Sequence, residues 1–110
     1  MNAPNVRTAT DADYSTLVAG SLPVLLDFSA RWCPPCRAME PHLAALADAW
    51  VGRATVAEVD IDANPEVSIH FAVRSAPTFI VVKGGEEVGR IVGAVPRARL
   101  DALLRRAVEA

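Results

Sequence analysis

The sequence predicts an α/β protein with a mixed β-sheet and helices on both of its faces. Strand-like and helix-like patterns follow one another in the order β-α-β-α-β-α-β-β-α. Helices between successive strands favour parallel pairing, whereas the last two strands are joined by the hairpin signal Gly84-Gly85. The 110 residues suffice for a single domain, residues 1–110, with one core.

The first half of the chain is expected to hold two strands and two helices. Residues 5–9 form a short first strand, and residues 10–13 resemble a capping box that opens a helix. The apolar run 24–28 is typical of a central strand covered on both faces. An apolar stripe predicts a helix from residue 33 to about residue 50, which Pro41 should kink.

The second half begins with an alternating strand at residues 55–60. Asn64 and Pro65 read as the N-cap and first residue of a short helix that ends near residue 71. Strands are expected at residues 78–82 and 87–92, and Pro96 opens a final helix. Four apolar residues define the buried stripe of this helix: Leu100, Leu103, Leu104 and Val108.

Composition excludes several classes of protein. Apolar residues make up 52% of the chain, charged residues 22%, and the net charge is −2, so no nucleic-acid or membrane partner is indicated. No apolar run approaches the ~20 residues of a membrane span. Residues 1–10 lack the pattern of a signal peptide, and the two cysteines belong to one motif. A reducing cytoplasm is therefore the expected location.

The motif Trp32-Cys33-Pro34-Pro35-Cys36 lies between the apolar strand and the long helix. Three positions are almost one helical turn, so both sulfur atoms can lie on one face and form a small ring. A thiol at the first position of a helix is close to unpaired backbone N–H groups and to the positive end of the helix dipole. Both favour the reactive thiolate, which predicts a dithiol that cycles with a disulfide.

Three other interpretations of the cysteine pair remain open. A zinc site needs four ligands, and only His42 and His70 could add to the cysteines. Both histidines are expected on helix surfaces. A structural disulfide closing so short a loop would constrain the unfolded chain little. Two inert buried thiols would not explain the prolines between them or the preceding Trp32.

Asp27 is the candidate base for the dithiol. Burial in an apolar strand should raise the pKa of its carboxyl group toward the range in which a general base works at neutral pH. The alternative is a solvated Asp at a strand end with no role in the chemistry. Glu58 is either a solvated residue of the next strand or a neighbour that raises the pKa of Asp27 further.

These features resemble the thioredoxin family over nearly the whole chain, from residue 5 to residue 109. The resemblance implies the thioredoxin fold, a five-stranded mixed β-sheet flanked by four α-helices. The residues that carry it, in chain order, are Asp27-Phe28, Ala30, Trp32-Cys33, Pro35-Cys36, Pro41, Asp60-Ile61-Asp62, Asn64-Pro65, Ala76-Pro77-Thr78 and Gly93.

The resemblance also implies roles for individual residues. Cys33 would be the exposed nucleophile and Cys36 the buried resolving thiol, with Asp27 accepting and returning a proton. The Ala76–Pro77 peptide bond would be cis beside the dithiol, and the Ala76 backbone would pair with a substrate peptide. The residues expected to bind substrate are Trp32, Pro34, Pro35, Ala76, Pro77, Val92, Gly93 and Ala94.

The implied activity is that of a general protein-disulfide reductase acting on disulfide-containing proteins. Electrons would come from a partner thioredoxin reductase that uses NADPH and FAD, while this chain would bind no cofactor or metal and act as a monomer. Two alternatives are a thiol–disulfide oxidase or isomerase of the same fold, and a non-catalytic interaction module. The chain departs from the usual family residues at Pro34 (commonly Gly), Ser29 (often Trp) and Glu58 (often Lys).

Overall fold

The computed structural model describes residues 3–110, and their strands and helices follow the predicted order. The elements are β1 (Val6–Thr8), α1 (Tyr14–Val18), β2 (Val24–Ser29), α2 (Pro34–Ala49), β3 (Thr55–Asp60), α3 (Pro65–His70), β4 (Thr78–Lys83), β5 (Glu86–Val92) and α4 (Arg97–Glu109).

The five strands form one mixed sheet in the order β1-β3-β2-β4-β5. β3 pairs in parallel with β1 and β2, whereas β4 is antiparallel to both β2 and β5. Every residue of β2 is buried. This central position explains its nearly continuous apolar sequence, because side chains on both faces meet a protein core. The prediction of a five-stranded mixed sheet with four helices is confirmed.

Apolar side chains pack on both faces of the sheet. On one face, residues of α2 and α4 pack against β2, β3 and β4; examples are Leu25, Leu43, Leu46, Trp50, Phe79, Leu100 and Leu104. On the other face, residues of α1 and α3 and their flanking segments pack against the same strands; examples are Val18, Leu26, Phe28, Val67, Phe71 and Ile80. Alternate residues of one strand therefore enter different cores.

Several element boundaries differ from the predicted ones by one or two residues. β1 is shorter than residues 5–9, and β4 and β5 each extend one residue closer to the Gly84-Gly85 turn. α2 begins at Pro34 rather than Cys33, because Cys33 has extended backbone angles and serves as the N-cap. Pro41 lies inside α2, which continues through it as one helix.

The cap of α3 differs from the prediction. Asn64 occupies the N-cap position, but its side chain makes no capping hydrogen bond. The Asp11 carboxylate accepts hydrogen bonds from the backbone N–H groups of Glu66 (3.2 Å) and Val67 (2.8 Å) instead. The Asn64 Oδ1 atom accepts a bond from the Asp11 N–H at 3.1 Å. A residue more than fifty positions away thus caps this helix.

The predicted apolar stripe of α4 is wrong at its last residue. Ala107 is fully buried, whereas Val108 is 39% exposed. Successive residues turn by about 100° around a helix. Ala107, seven positions after Leu100, therefore returns to the same face as Leu100, whereas Val108, one position further, lies beyond that face. Across residues 3–110, no helix is both long enough and apolar enough to span a bilayer.

Candidate redox site

The two cysteines form a disulfide between the end of β2 and the first turn of α2. Their Cα atoms are 5.3 Å apart. The Cys36 backbone N–H donates a hydrogen bond to the Cys33 Sγ atom at 3.2 Å. This is the bond that an N-cap side chain accepts from the third helical residue, so the sulfur of Cys33 takes the place of a capping oxygen.

The two prolines limit the number of donors around Cys33. Pro34 and Pro35 occupy the first two helical positions and carry no N–H group. The N–H of Cys36 is therefore the first backbone donor of α2. A thiolate at Cys33 would keep this hydrogen bond and the favourable field of a 16-residue helix.

Both cysteines are buried in the disulfide form. Each is only 3% exposed, so the expectation that Cys33 is exposed does not hold in this state. They pack in a small cluster with Ala30, Ile61 and Ala76. The Cys33 Sγ atom lies 3.6 Å from the Ala76 carbonyl oxygen; because a disulfide sulfur carries no proton, this is a packing contact.

The segments expected to bind substrate meet beside Cys33. The Ala76–Pro77 peptide bond is cis, and the Pro77 carbonyl accepts a 2.8 Å hydrogen bond from the Gly93 N–H. Gly93 has a φ of 94°, a left-handed conformation that favours glycine. This bond ties the turn after β5 to the turn before β4. Val92, next to it, is 62% exposed, and Ala94 is also exposed.

Trp32, Pro34 and Pro35 adjoin the cysteines in the sequence. All three are exposed, and Trp32 has 66% of its surface accessible. The indole Nε1–H donates a hydrogen bond to Asp62 Oδ2 at 2.8 Å, which holds the exposed ring in place. The sequence indicated Asp62 only as part of a family motif, and its contact with Trp32 depends on how the loop after β3 approaches the dithiol.

Asp27 is buried on the face of the sheet that α2 covers. It is 6% exposed, and its Oδ1 atom has no hydrogen-bond partner among residues 3–110. Burial raises the pKa of the Asp27 carboxyl group to about 8, with smaller contributions from the negative charges of Glu58 and Glu40. The alternative of a solvated Asp at a strand end is therefore wrong.

Glu58 stands directly opposite Asp27 on the neighbouring strand. Its side chain is half-buried, and burial raises its pKa, as do the nearby charges of Glu40 and Asp60. Two carboxyl groups thus lie side by side under the start of α2. Of the two interpretations of Glu58, the structure supports the one that places it next to Asp27.

The two histidines lie away from this arrangement. His42 and His70 are exposed on α2 and α3, and the His70 ring packs against Tyr14 and Phe71 with centroids 5.5 Å and 4.8 Å away. Neither completes a zinc site with the cysteines. Within the described part of the chain, no three His, Cys, Asp or Glu side chains are grouped as metal ligands.

Comparison with known proteins assigns the chain to a family. The family model described as thioredoxin matches residues 5–106. The chain belongs to the thioredoxin family. A thioredoxin of Alicyclobacillus acidocaldarius is 43% identical over 97 residues, covering 88% of this chain and 92% of the relative. Thioredoxin 1 of a Nostoc species is 40% identical over 98 residues, covering 88% and 92%.

A third relative combines two proteins in one polypeptide. The bifunctional thioredoxin reductase/thioredoxin of Mycobacterium leprae is 42% identical over 100 residues, which cover 90% of this chain and 22% of that protein. Family membership and the Cys33–Cys36 disulfide together make this chain a disulfide oxidoreductase, a redox carrier that works by thiol–disulfide exchange.

Proposed function

We propose that the chain is a general protein-disulfide reductase in which Cys33 attacks the substrate, Cys36 resolves the intermediate and Asp27 handles the proton. The observation that carries the assignment is the hydrogen bond from the Cys36 N–H to Cys33 Sγ at the start of α2. In the reduced form this bond would stabilise negative charge on Cys33 and leave Cys36, the third residue of the helix, as the less acidic thiol.

The reaction proceeds in two exchanges. The Cys33 thiolate attacks one sulfur of a substrate disulfide, forms a mixed disulfide and releases the other sulfur as a thiolate. The Cys36 thiol then gives its proton to the Asp27 carboxylate, and the resulting thiolate attacks Cys33 Sγ. This second attack releases the reduced substrate and forms the Cys33–Cys36 disulfide. Tethering makes it intramolecular and hence fast.

Asp27 suits this role because its environment is apolar. A carboxyl group with an ordinary pKa would be a weak base toward a buried thiol. A pKa of about 8 instead brings the Asp27 carboxylate close in proton affinity to the Cys36 thiolate.

Substrate peptides would lie across the exposed faces of Trp32, Pro34 and Pro35. On the far side they would contact Ala76, Pro77, Val92, Gly93 and Ala94, pairing with the Ala76 backbone.

The electrons would come from a thioredoxin reductase that holds FAD and uses NADPH. The fusion of both proteins in the Mycobacterium leprae relative supports a partner of this kind. The proposed working form is a monomer in the cytoplasm. Both cysteines belong to the redox pair, so neither forms a structural disulfide of the kind that is typical of secreted proteins. Light scattering on the purified protein should give one chain of 11.7 kDa.

Trapping experiments test the order of the two thiols. Cys36→Ser should accumulate mixed disulfides with partner proteins on non-reducing gels, because Cys33 can attack but nothing releases it. Cys33→Ser should accumulate none. Equal trapping by both variants would contradict the assignment.

A coupled assay tests the direction of the reaction. With NADPH and a thioredoxin reductase, the wild-type chain should reduce insulin disulfides over many turnovers. An oxidase or isomerase would instead have a less negative potential in a glutathione titration and would reduce insulin poorly. An interaction module would show no turnover in either assay.

A further inference from the structure

Residues 72–76 join α3 to the cis peptide bond at the redox site. The Ala72 N–H donates a hydrogen bond to the Ile69 carbonyl at 3.0 Å. The Val73 N–H donates one to the Ser68 carbonyl at 2.9 Å. Ala72 has a φ of 54°, in the left-handed region that glycine usually occupies after a helix. This segment therefore leaves α3 through a turn that is strained for alanine, and neighbouring contacts must hold it.

β5 and the residue after it hold this segment at both ends. At the far end, the Gly93 N–H donates the 2.8 Å hydrogen bond to the Pro77 carbonyl. At the near end, Arg90 Nη2 donates a hydrogen bond of 2.8 Å to the carbonyl of Phe71, the C-cap residue of α3. A cation is favourable there, because the last carbonyls of a helix lack intrahelical partners and carry partial negative charge. Arg90 is thus the link from β5 to the start of the segment.

A β-bulge brings Glu87 and Arg90 to the same face of β5. Residues three apart in a regular strand point to opposite faces. The register between β4 and β5 shifts at Val88, so that Glu87 is in register with Val82 and Arg90 with Ile80. Val82 and Ile80 both belong to the core on the α3 side of the sheet. Since residues in register share a face, the bulge turns the two charged side chains toward the end of α3.

Glu87 fixes the direction of the Arg90 side chain. Glu87 Oε2 accepts a hydrogen bond from Arg90 Nε at 2.7 Å, and Glu87 Oε1 accepts one from Arg90 Nη2 at 2.6 Å. The same Nη2 group donates to the Phe71 carbonyl. Each side chain of the pair is about one-third exposed, so the salt bridge by itself adds little to stability. Its effect is to hold the planar guanidinium in the one orientation that reaches Phe71.

We propose that Arg90, oriented by Glu87, is a positioning residue that holds residues 72–76 in the conformation that binds an extended substrate peptide. The proposal rests on the proposed function, in which the Ala76 backbone pairs with the substrate. A segment that is already ordered loses less conformational entropy on binding, so the peptide binds more tightly. None of the hydrogen bonds of Arg90 involves a cysteine. Its effect is therefore confined to substrates that contact this segment.

The test compares two probes in Arg90→Met, which keeps an unbranched side chain but has no donor. One probe is an extended peptide whose single cysteine is disulfide-bonded to thionitrobenzoate, and the other is free cysteine bonded to the same aromatic thiol. The Cys33 thiolate of the reduced protein attacks the cysteine sulfur, and absorbance follows the released aromatic thiolate in a single turnover without a reductase. We expect the rate constant for the peptide, relative to that for free cysteine, to fall roughly five-fold. The rate with free cysteine should stay at the wild-type value.

Hydrogen exchange measures the order of the segment directly. The amides of residues 72–76 should exchange faster in Arg90→Met, whereas those of β2 should keep their wild-type rates. Arg105→Met is the matched control, because Arg105 is an exposed arginine of α4, and it should equal the wild type in both measurements.

Two milder variants grade the effect. Arg90→Lys keeps a cation that can donate to the Phe71 carbonyl and should recover part of the peptide preference. Glu87→Gln keeps Arg90 but loosens its orientation, so its peptide preference should fall by less than that of Arg90→Met. If circular dichroism shows that Arg90→Met is unfolded, these two variants carry the comparison.

A modified peptide separates this proposal from the function on which it rests. Methylation of the peptide N–H groups that flank its cysteine removes donors needed for pairing with Ala76. If the wild type reduces the methylated and unmodified peptides equally fast, the pairing itself is wrong and this proposal fails with it. If methylation slows the wild type but Arg90→Met keeps the wild-type peptide preference, only the role of Arg90 is disproved. Equal slowing of both probes in Arg90→Met would also overturn that role, because Arg90 would then act on the thiol chemistry or the whole fold.

Discussion

Asp27 is a carboxylic acid in the middle of a largely apolar strand, and no residue from 3 to 110 makes a hydrogen bond to its Oδ1 atom. Burial of a charge without a partner is costly, so the protein loses stability whenever this group ionises. The same burial gives the carboxylate the proton affinity that a base for Cys36 needs. One residue thus links stability and reactivity.

Asp27→Asn should raise stability and flatten its dependence on pH. The pKa of Asp27 is about 8 in the folded protein against an ordinary value of 3.8. Between pH ~4 and pH ~8 the folded chain therefore holds a proton that the unfolded chain has released, and the free energy of unfolding falls as the pH rises. At pH 7 the asparagine variant should be more stable by up to about 4 kcal/mol.

Urea unfolding at pH 4, 6 and 8 would measure this effect. The difference between wild type and Asp27→Asn should be small at pH 4 and largest at pH 8. Glu109→Gln, which changes an exposed carboxylate, should follow the wild-type curve at every pH. Parallel curves for wild type and Asp27→Asn would show that Asp27 is ionised and solvated in the folded state.

The start of α2 is the element that sets the reactivity of Cys33. Pro34→Gly would restore one N–H group in the first turn. We expect the pKa of the Cys33 thiol to fall slightly, because the N–H of the first helical residue is less well directed at the N-cap side chain than those of the next two. The redox potential should move by no more than a few tens of millivolts, where ~30 mV corresponds to about 1.4 kcal/mol.

Thiolate absorbance against pH and equilibration with glutathione would measure both quantities for Pro34→Gly and the wild type. Pro35→Gly is the matched variant, since it restores the N–H of the second helical residue and should lower the pKa of Cys33 more. A rise in this pKa in either glycine variant would show that the rigidity of the turn outweighs the added donor.

The start of α3 depends on a side chain from a distant part of the chain. Asp11→Ala removes the acceptor for the N–H groups of Glu66 and Val67, and we expect a loss of about 1 kcal/mol in the free energy of unfolding. Asp11→Asn keeps one acceptor oxygen, so its free energy of unfolding should fall by less than that of Asp11→Ala. Denaturant melts of the two variants decide the point: equal losses would show that the charge of Asp11 matters and its hydrogen bonds do not.

At the scale of the whole molecule, α2 and α4 share one core on the same face of the sheet. Leu104 is fully buried in it, so Leu104→Ala should cost roughly 2–5 kcal/mol through lost contacts and the cavity left behind. Val108→Ala, four residues further along α4, should cost less than about 1 kcal/mol because Val108 is 39% exposed. Similar losses in thermal or denaturant melts would contradict the observed orientation of α4.

The sequence by itself determined the order of the elements, the central position of β2 and the pairing of the two cysteines in one motif. These features depend on local patterns: apolar periodicity, glycine and proline at turns, and the spacing of Cys33 and Cys36. The burial of Asp27 was also predictable, since its neighbours Leu26 and Phe28 belong to an apolar run.

Tertiary structure alone decided the contacts between residues distant in the chain. The register between β2 and β3 places Glu58 beside Asp27, and the loop after β3 brings Asp62 to Trp32. Asp11 caps α3 for the same reason, because the segment before α1 passes the start of that helix. The burial of Cys33 likewise depends on Ala76, which lies forty-three residues away. No local pattern encodes these distances, because strand pairing and packing bring the residues together only when the whole sheet has formed.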